Sequence, residues 1–112
     1  MQNNRLLRLL EFLDNDPNEP FILYALATEY NSMGDTENAL KYYENLITYH
    51  STYVGTYYHY AKLLDKLGRR EDAIGVYKSG MEVAQNKGDR HALSELKAAY
   101  FEIAEDEEEE NY

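Results

Sequence analysis

Two glycines, Gly34 and Gly68, stand 34 residues apart, and that offset recurs along the chain. It links Ala27 with Ala61, Ala39 with Ala73, Tyr43 with Tyr77 and Glu37 with Glu71. Looser apolar matches keep the register: Leu23 with Tyr57, Leu26 with Tyr60, Tyr30 with Leu64, Met33 with Leu67, Leu40 with Ile74. A fixed period of this length constrains the fold more than composition does. The chain reuses one supersecondary unit, and such units bury their apolar faces by stacking on neighbours.

The unit itself can be read from residue spacing. Leu23, Leu26, Ala27, Tyr30 and Met33 fall three or four residues apart, which predicts one face of a helix. Gly34 supplies a left-handed stop, and Asp35 or Thr36 can cap the helix that follows. Ala39, Leu40, Tyr43, Leu46 and Ile47 mark the buried side of that second helix. The next unit repeats the design with Tyr57, Tyr60, Ala61, Leu64 and Leu67, a stop at Gly68, then Ala73, Ile74, Tyr77 and Met81. Alanines at matched sites let paired helices approach closely, and the tyrosines at 43 and 77 fill the larger space beside them.

This pattern resembles the tetratricopeptide repeat family, whose unit is two antiparallel helices with small, glycine and aromatic residues at set places. The resemblance implies an all-α fold: antiparallel helix pairs stacked as a short right-handed solenoid of about six helices. Residues 20–53 match one repeat and 54–87 another. Leu46 stands where a small residue is usual, Ser51 and Gln85 replace the closing proline, and Arg69 occupies a capping site better suited to aspartate. Residues 3–13 read as the second helix of a half-repeat, and 88–104 as a capping helix. The expected organisation is a single domain over 1–105 with an acidic tail over 105–112.

Composition narrows the function classes. The formal charge is −10, of which residues Glu105 to Glu110 contribute six negative charges. No basic footprint for nucleic acid appears. The tail reads as a solvated end that aids solubility, or as an acidic arm for a basic partner. No cysteine occurs, which removes disulfides, thiolate zinc sites and thiol nucleophiles. The start is a poor signal peptide, and no apolar run approaches the roughly 20 residues of a membrane span. A cytoplasmic protein without membrane association is expected.

No catalytic constellation emerges. His50, His59 and His91 sit in separate segments without metal-type spacing, and neither a phosphate loop nor a nucleophile elbow is present. No metal, cofactor or enzymatic activity is expected.

The family resemblance instead implies binding of a peptide or protein segment on a concave face lined by the first helix of each repeat. Carried over by register, the groove residues are Phe21, Tyr24, Thr28 and Asn31 in the first repeat. Tyr58, His59, Lys62, Asp65 and Lys66 follow in the second, with Ala92, Leu96 and Ala99 from the last helix. Partly exposed aromatics are common interface anchors, although tyrosines that fill gaps in a small core would look the same in sequence. Chaperone-adaptor members clamp a C-terminal carboxylate with basic and amide side chains. Here Tyr24, Thr28, His59, Ala92 and Leu96 hold those places, and Lys62 is the nearby base. A carboxylate clamp is not expected.

The first helix offers a second surface. Leu6, Leu7, Leu9, Leu10, Phe12 and Leu13 span an apolar arc of roughly 220° at about 100° per residue, wider than one neighbour covers. Leu6, Leu7, Leu10 and Phe12 are therefore expected to support self-association, as a homodimer, or docking of a partner. The competing expectation is that this helix tucks fully against residues 21–47.

Overall fold

The computed structural model describes residues 3–110, with side chains through residue 105. Six helices are present among them: α1 (Asn4–Asn15), α2 (Pro20–Ser32), α3 (Thr36–Tyr49), α4 (Gly55–Lys66), α5 (Arg70–Lys87) and α6 (Arg90–Glu110). No strand occurs among the described residues. The chain is an all-α helical-repeat protein. It separates into two compact units, Met1–Tyr53 and Val54–Tyr112, divided where the two repeats meet in sequence.

The same turn closes three helices. Gly34, Gly68 and Gly88 have φ of 80°, 81° and 71°, a left-handed conformation in which a side chain would be strained. At the first turn the Gly34 N–H donates to Asn31 C=O, and the Asp35 N–H reaches back to Tyr30 C=O. Gly68 with Arg69, and Gly88 with Asp89, repeat this pair of bonds, the Schellman pattern that satisfies the last carbonyls of a helix. Asp35 caps α3 by accepting from the Asn38 N–H at 3.3 Å, and Asp89 accepts from the Ala92 N–H at 3.0 Å. Arg69 provides no side-chain cap to α5 and instead pairs with Asp72 at 3.0 Å.

In the first unit α2 packs against α3, and α1 lies on α2. Leu26, Ala27, Ala39, Tyr43 and Leu46 are completely buried. Tyr30 and Tyr42 stack across the pair with ring centroids 5.8 Å apart. Leu46 thus fills the position where a small residue was anticipated. The N-terminal end of α1 is tied to α2 through Glu29, which accepts from Asn3 Nδ2 at 2.9 Å and pairs with Arg5 at 3.0 Å.

In the second unit α4, α5 and α6 contact one another. Tyr57, Ala61, Leu64, Ala73, Tyr77, Ala84 and Leu96 form the core. Gly80 explains how closely α5 can approach. A Cβ placed there would lie 2.5 Å from Tyr57 Cβ, on α4, and 3.2 Å from Leu96 Cδ1, on α6.

Four boundaries or faces depart from the sequence expectation. Met33 and Leu67, expected to close the apolar stripes, are C-cap residues and are exposed. Helix α1 runs to Asn15 rather than residue 13. Helix α6 continues to Glu110 rather than stopping near residue 104. Glutamate is a good helix former, and no glycine or proline breaks the run. The last two residues of the expected tail lie outside the described residues.

Thr56 is completely buried, and its Oγ1 has no hydrogen-bond partner among the described residues. An unpaired buried hydroxyl is costly, so the isosteric change Thr56→Val is expected to leave stability unchanged or raise it by about 1 kcal/mol. Urea denaturation measures this. A loss above about 1 kcal/mol would mean that the hydroxyl is bonded.

Candidate functional site

The first unit presents one face of α2. Phe21, Tyr24, Thr28 and Asn31 follow at helical spacing, so they share that face. Phe21 is 61% exposed. Tyr24 and Thr28 are half-buried and Asn31 is exposed. The Tyr24 ring leans on Tyr53 with centroids 5.6 Å apart, and the Thr28 hydroxyl donates to Ala25 C=O at 3.0 Å, which holds it against its own helix.

The second unit presents Tyr58, His59, Lys62, Asp65 and Lys66 on α4. Tyr58 and Asp65 are half-buried, while His59, Lys62 and Lys66 are exposed. The Lys62 ammonium sits 5.6 Å from the centroid of the Tyr58 ring, a cation–π contact. His59 meets the same ring edge-on at 5.4 Å. Desolvation pulls the His59 pKa below its ordinary value, and the carboxylate of Glu95 works against that. Between α4 and α6 lies a groove of about 230 Å³ lined by Tyr58, Lys62, Glu95, Ala98, Ala99 and Glu102.

That groove corrects Leu96, includes Ala99 and adds Glu95, Ala98 and Glu102. Leu96 was expected to line the binding face, but it is only 1% exposed and packs beside Gly80. The α6 residues that reach the groove are Glu95, Ala98, Ala99 and Glu102. Their spacing of three and four residues was visible in the sequence. No earlier unit supplied a template for the rotation of α6, so Leu96 was named where its neighbour Glu95 faces the groove. The acids leave the α4 side mixed in charge, with Lys62 and Lys66 against Asp65, Glu95 and Glu102.

Helix α1 leaves part of its apolar side exposed. No residue of α1 is buried. Leu6 and Leu10 are half-buried, whereas Leu7 is 48% and Phe12 55% exposed. Helix α1 therefore does not tuck fully against the rest of its unit. A groove of about 530 Å³ runs between α1 and α2, lined by Asn4, Arg5, Arg8, Leu9, Phe12, Phe21 and Ala25. Phe12 and Phe21, which the sequence assigned to separate surfaces, share this groove.

Among the described residues, no group of three or more His, Asp or Glu side chains is placed to hold a metal ion. No helix among them is long and apolar enough to cross a membrane.

The tetratricopeptide repeat profile matches residues 30–100. A tetratricopeptide repeat domain protein from Salinibacter ruber, known as a crystal structure, is 41% identical with a TM-score of 0.75; the match covers 78% of this chain and 97% of that one. A solution structure from the same organism is 43% identical with the same TM-score of 0.75, covering 79% and 89% of the two chains. A protein of Bordetella parapertussis shares the fold at 24% identity and a TM-score of 0.79, over 95% of this chain and 91% of that one. No curated protein matches the chain.

Proposed function

The chain belongs to the tetratricopeptide repeat family, whose members generally mediate protein–protein interaction and are typically non-catalytic scaffolds, and from that premise we propose that it is an adaptor that binds a peptide or protein segment through the first helices of its repeats. The observation that carries this reading is the placement of Tyr24 and Tyr58. Each is half-buried, on α2 and α4 respectively, at the same kind of position beside exposed polar residues. Each leaves part of an amphipathic ring accessible, the chemistry of an interface anchor. Around Tyr58 the charges are of both signs, which suits a mixed segment better than an acidic terminus. Asn31, Thr28, His59, Lys62, Asp65 and Lys66 complete the proposed contact set. In this reading residues 1–105 act as one binding domain, residues 105–112 are a charged tail, and the cytoplasmic setting expected from the sequence stays part of the proposal.

Affinity capture tests it. Wild-type protein is compared with a Tyr24→Ala, Tyr58→Ala double variant whose helicity by circular dichroism is unchanged. The bound proteins should disappear from the variant. An unchanged set would count against these faces.

A second reading is favoured by Leu7 and Phe12, large apolar side chains about half exposed on α1. In it the chain is a self-associating structural component that uses its N-terminal helix.

A further inference from the structure

The α1–α2 groove combines apolar and basic side chains. Leu9, Phe12, Phe21 and Ala25 line it together with Arg5 and Arg8. Both arginines are exposed. Arg5 is shared with Glu29 at 3.0 Å, so Arg8 carries the positive charge of this largely apolar lining, in a chain whose net charge is −10. Its occupant should then carry an aromatic or aliphatic anchor followed by acids.

One segment of the chain itself has that composition. Near the C-terminal end of α6, Phe101 is 55% exposed. Glu102 and Glu105 are exposed beside it. The sequence then continues with Asp106 and four glutamates, Glu107 to Glu110. Phe101 and Glu105 lie one turn apart, so they share a face. Such an element can dock as a helix in a groove, the ring meeting Phe12 and Phe21 and the carboxylates meeting Arg8.

We infer that the α1–α2 groove receives the Phe101-to-Glu110 end of α6 from a second copy of this chain. The inference rests on the self-association reading and names its contact. The contact is heterologous, since groove and helix end are different surfaces. Two copies that exchange helix ends satisfy both grooves. Because charge pairing with Arg8 steers the contact, added salt weakens it.

Sedimentation of the full chain across a concentration series tests this, with three variants. Phe12→Glu places a charge among the apolar residues that line the groove. Phe101→Ser removes the anchor from an exposed position. A third variant neutralises the helix end with Glu105→Gln, Asp106→Asn and Glu107→Gln. Wild type should associate, and each variant should weaken association by about tenfold or more. Mixing Phe12→Glu with Phe101→Ser should restore a heterodimer, because one supplies the helix end and the other the groove. A monomeric wild type at every concentration would overturn both the inference and the self-association reading. Association lost with Phe12→Glu but kept with both helix-end variants would leave self-association through α1 and overturn the named occupant. A mixture that stays monomeric would overturn the heterologous contact. A wild type whose hydrodynamic radius stays monomeric but grows with the Phe101→Ser change would indicate capture of the chain's own helix end, and would also overturn it.

Discussion

Gly80→Ala is expected to destabilise the second unit by about 2–3 kcal/mol, while Gly75→Ala, in the same helix, is expected to stabilise it by about 1 kcal/mol. In an open helical position alanine is better than glycine, because it restricts the unfolded chain and exposes less backbone. Gly75 is such a position: it is exposed, and an added Cβ would meet nothing within 4 Å. Gly80 faces α4. Its Cβ would lie 2.5 Å from Tyr57 Cβ and 2.9 Å from Tyr57 Cγ. Tyr57 Cβ is fixed to its backbone and cannot rotate away, so the helices must separate. Their separation would strip contacts from Leu96 as well, since Leu96 Cδ1 lies at 3.2 Å. Chemical denaturation of both variants gives the two signs directly. A Gly80→Ala protein as stable as wild type would refute the close approach of α4 and α5.

Tyr77→Ala is expected to cost about 3–5 kcal/mol, the range for truncating a buried aromatic. Tyr77 is only 1% exposed, and Tyr43 holds the equivalent place in the first repeat with none of its surface accessible. Their hydroxyls make stability depend on alkaline pH. Burial pushes the Tyr77 pKa up to about 12 from an ordinary 10.0, with neighbouring Tyr58, Asp65 and Glu102 adding to the rise. Burial also raises Tyr43, with Tyr24 contributing, and raises Tyr57.

The unfolded chain gives up these protons near pH 10 while the folded chain keeps them. Above that pH the unfolded state therefore binds fewer protons, and stability falls as pH rises. The contribution is fully present below about pH 10 and is lost progressively toward pH 12 and beyond. Melts of wild type and Tyr77→Phe at pH 7 and pH 11 measure this. The phenylalanine variant should lose less stability between the two values; an identical loss would remove Tyr77 as a cause.

The parts of the fold visible in sequence were those specified by local chemistry repeated twice. Gly34 and Gly68 announce left-handed turns because few residues tolerate that backbone. Alanines 27, 39, 61 and 73 announce close helix pairing because a larger side chain would hold the helices apart. Leu96 was misplaced for the opposite reason. Its orientation is set by a distant partner, the bare backbone at Gly80, and α6 had no matched helix in the repeat to fix its rotation. That Phe12 and Phe21 line one groove is likewise a relation between helices that the sequence treats separately. Met33 and Leu67 were assigned to the buried stripe by periodicity alone, yet the turn at the following glycine leaves them exposed.

The first helices of the repeats are proposed to do the binding. An amide-resolved titration tests it most directly: isotope-labelled protein is mixed with the segment recovered by affinity capture. The largest shifts should fall on α2 and α4, around Tyr24 and Thr28 and around Tyr58, Lys62 and Asp65. Saturable shifts confined to α3 and α5, with α2 and α4 unmoved, would contradict the claim.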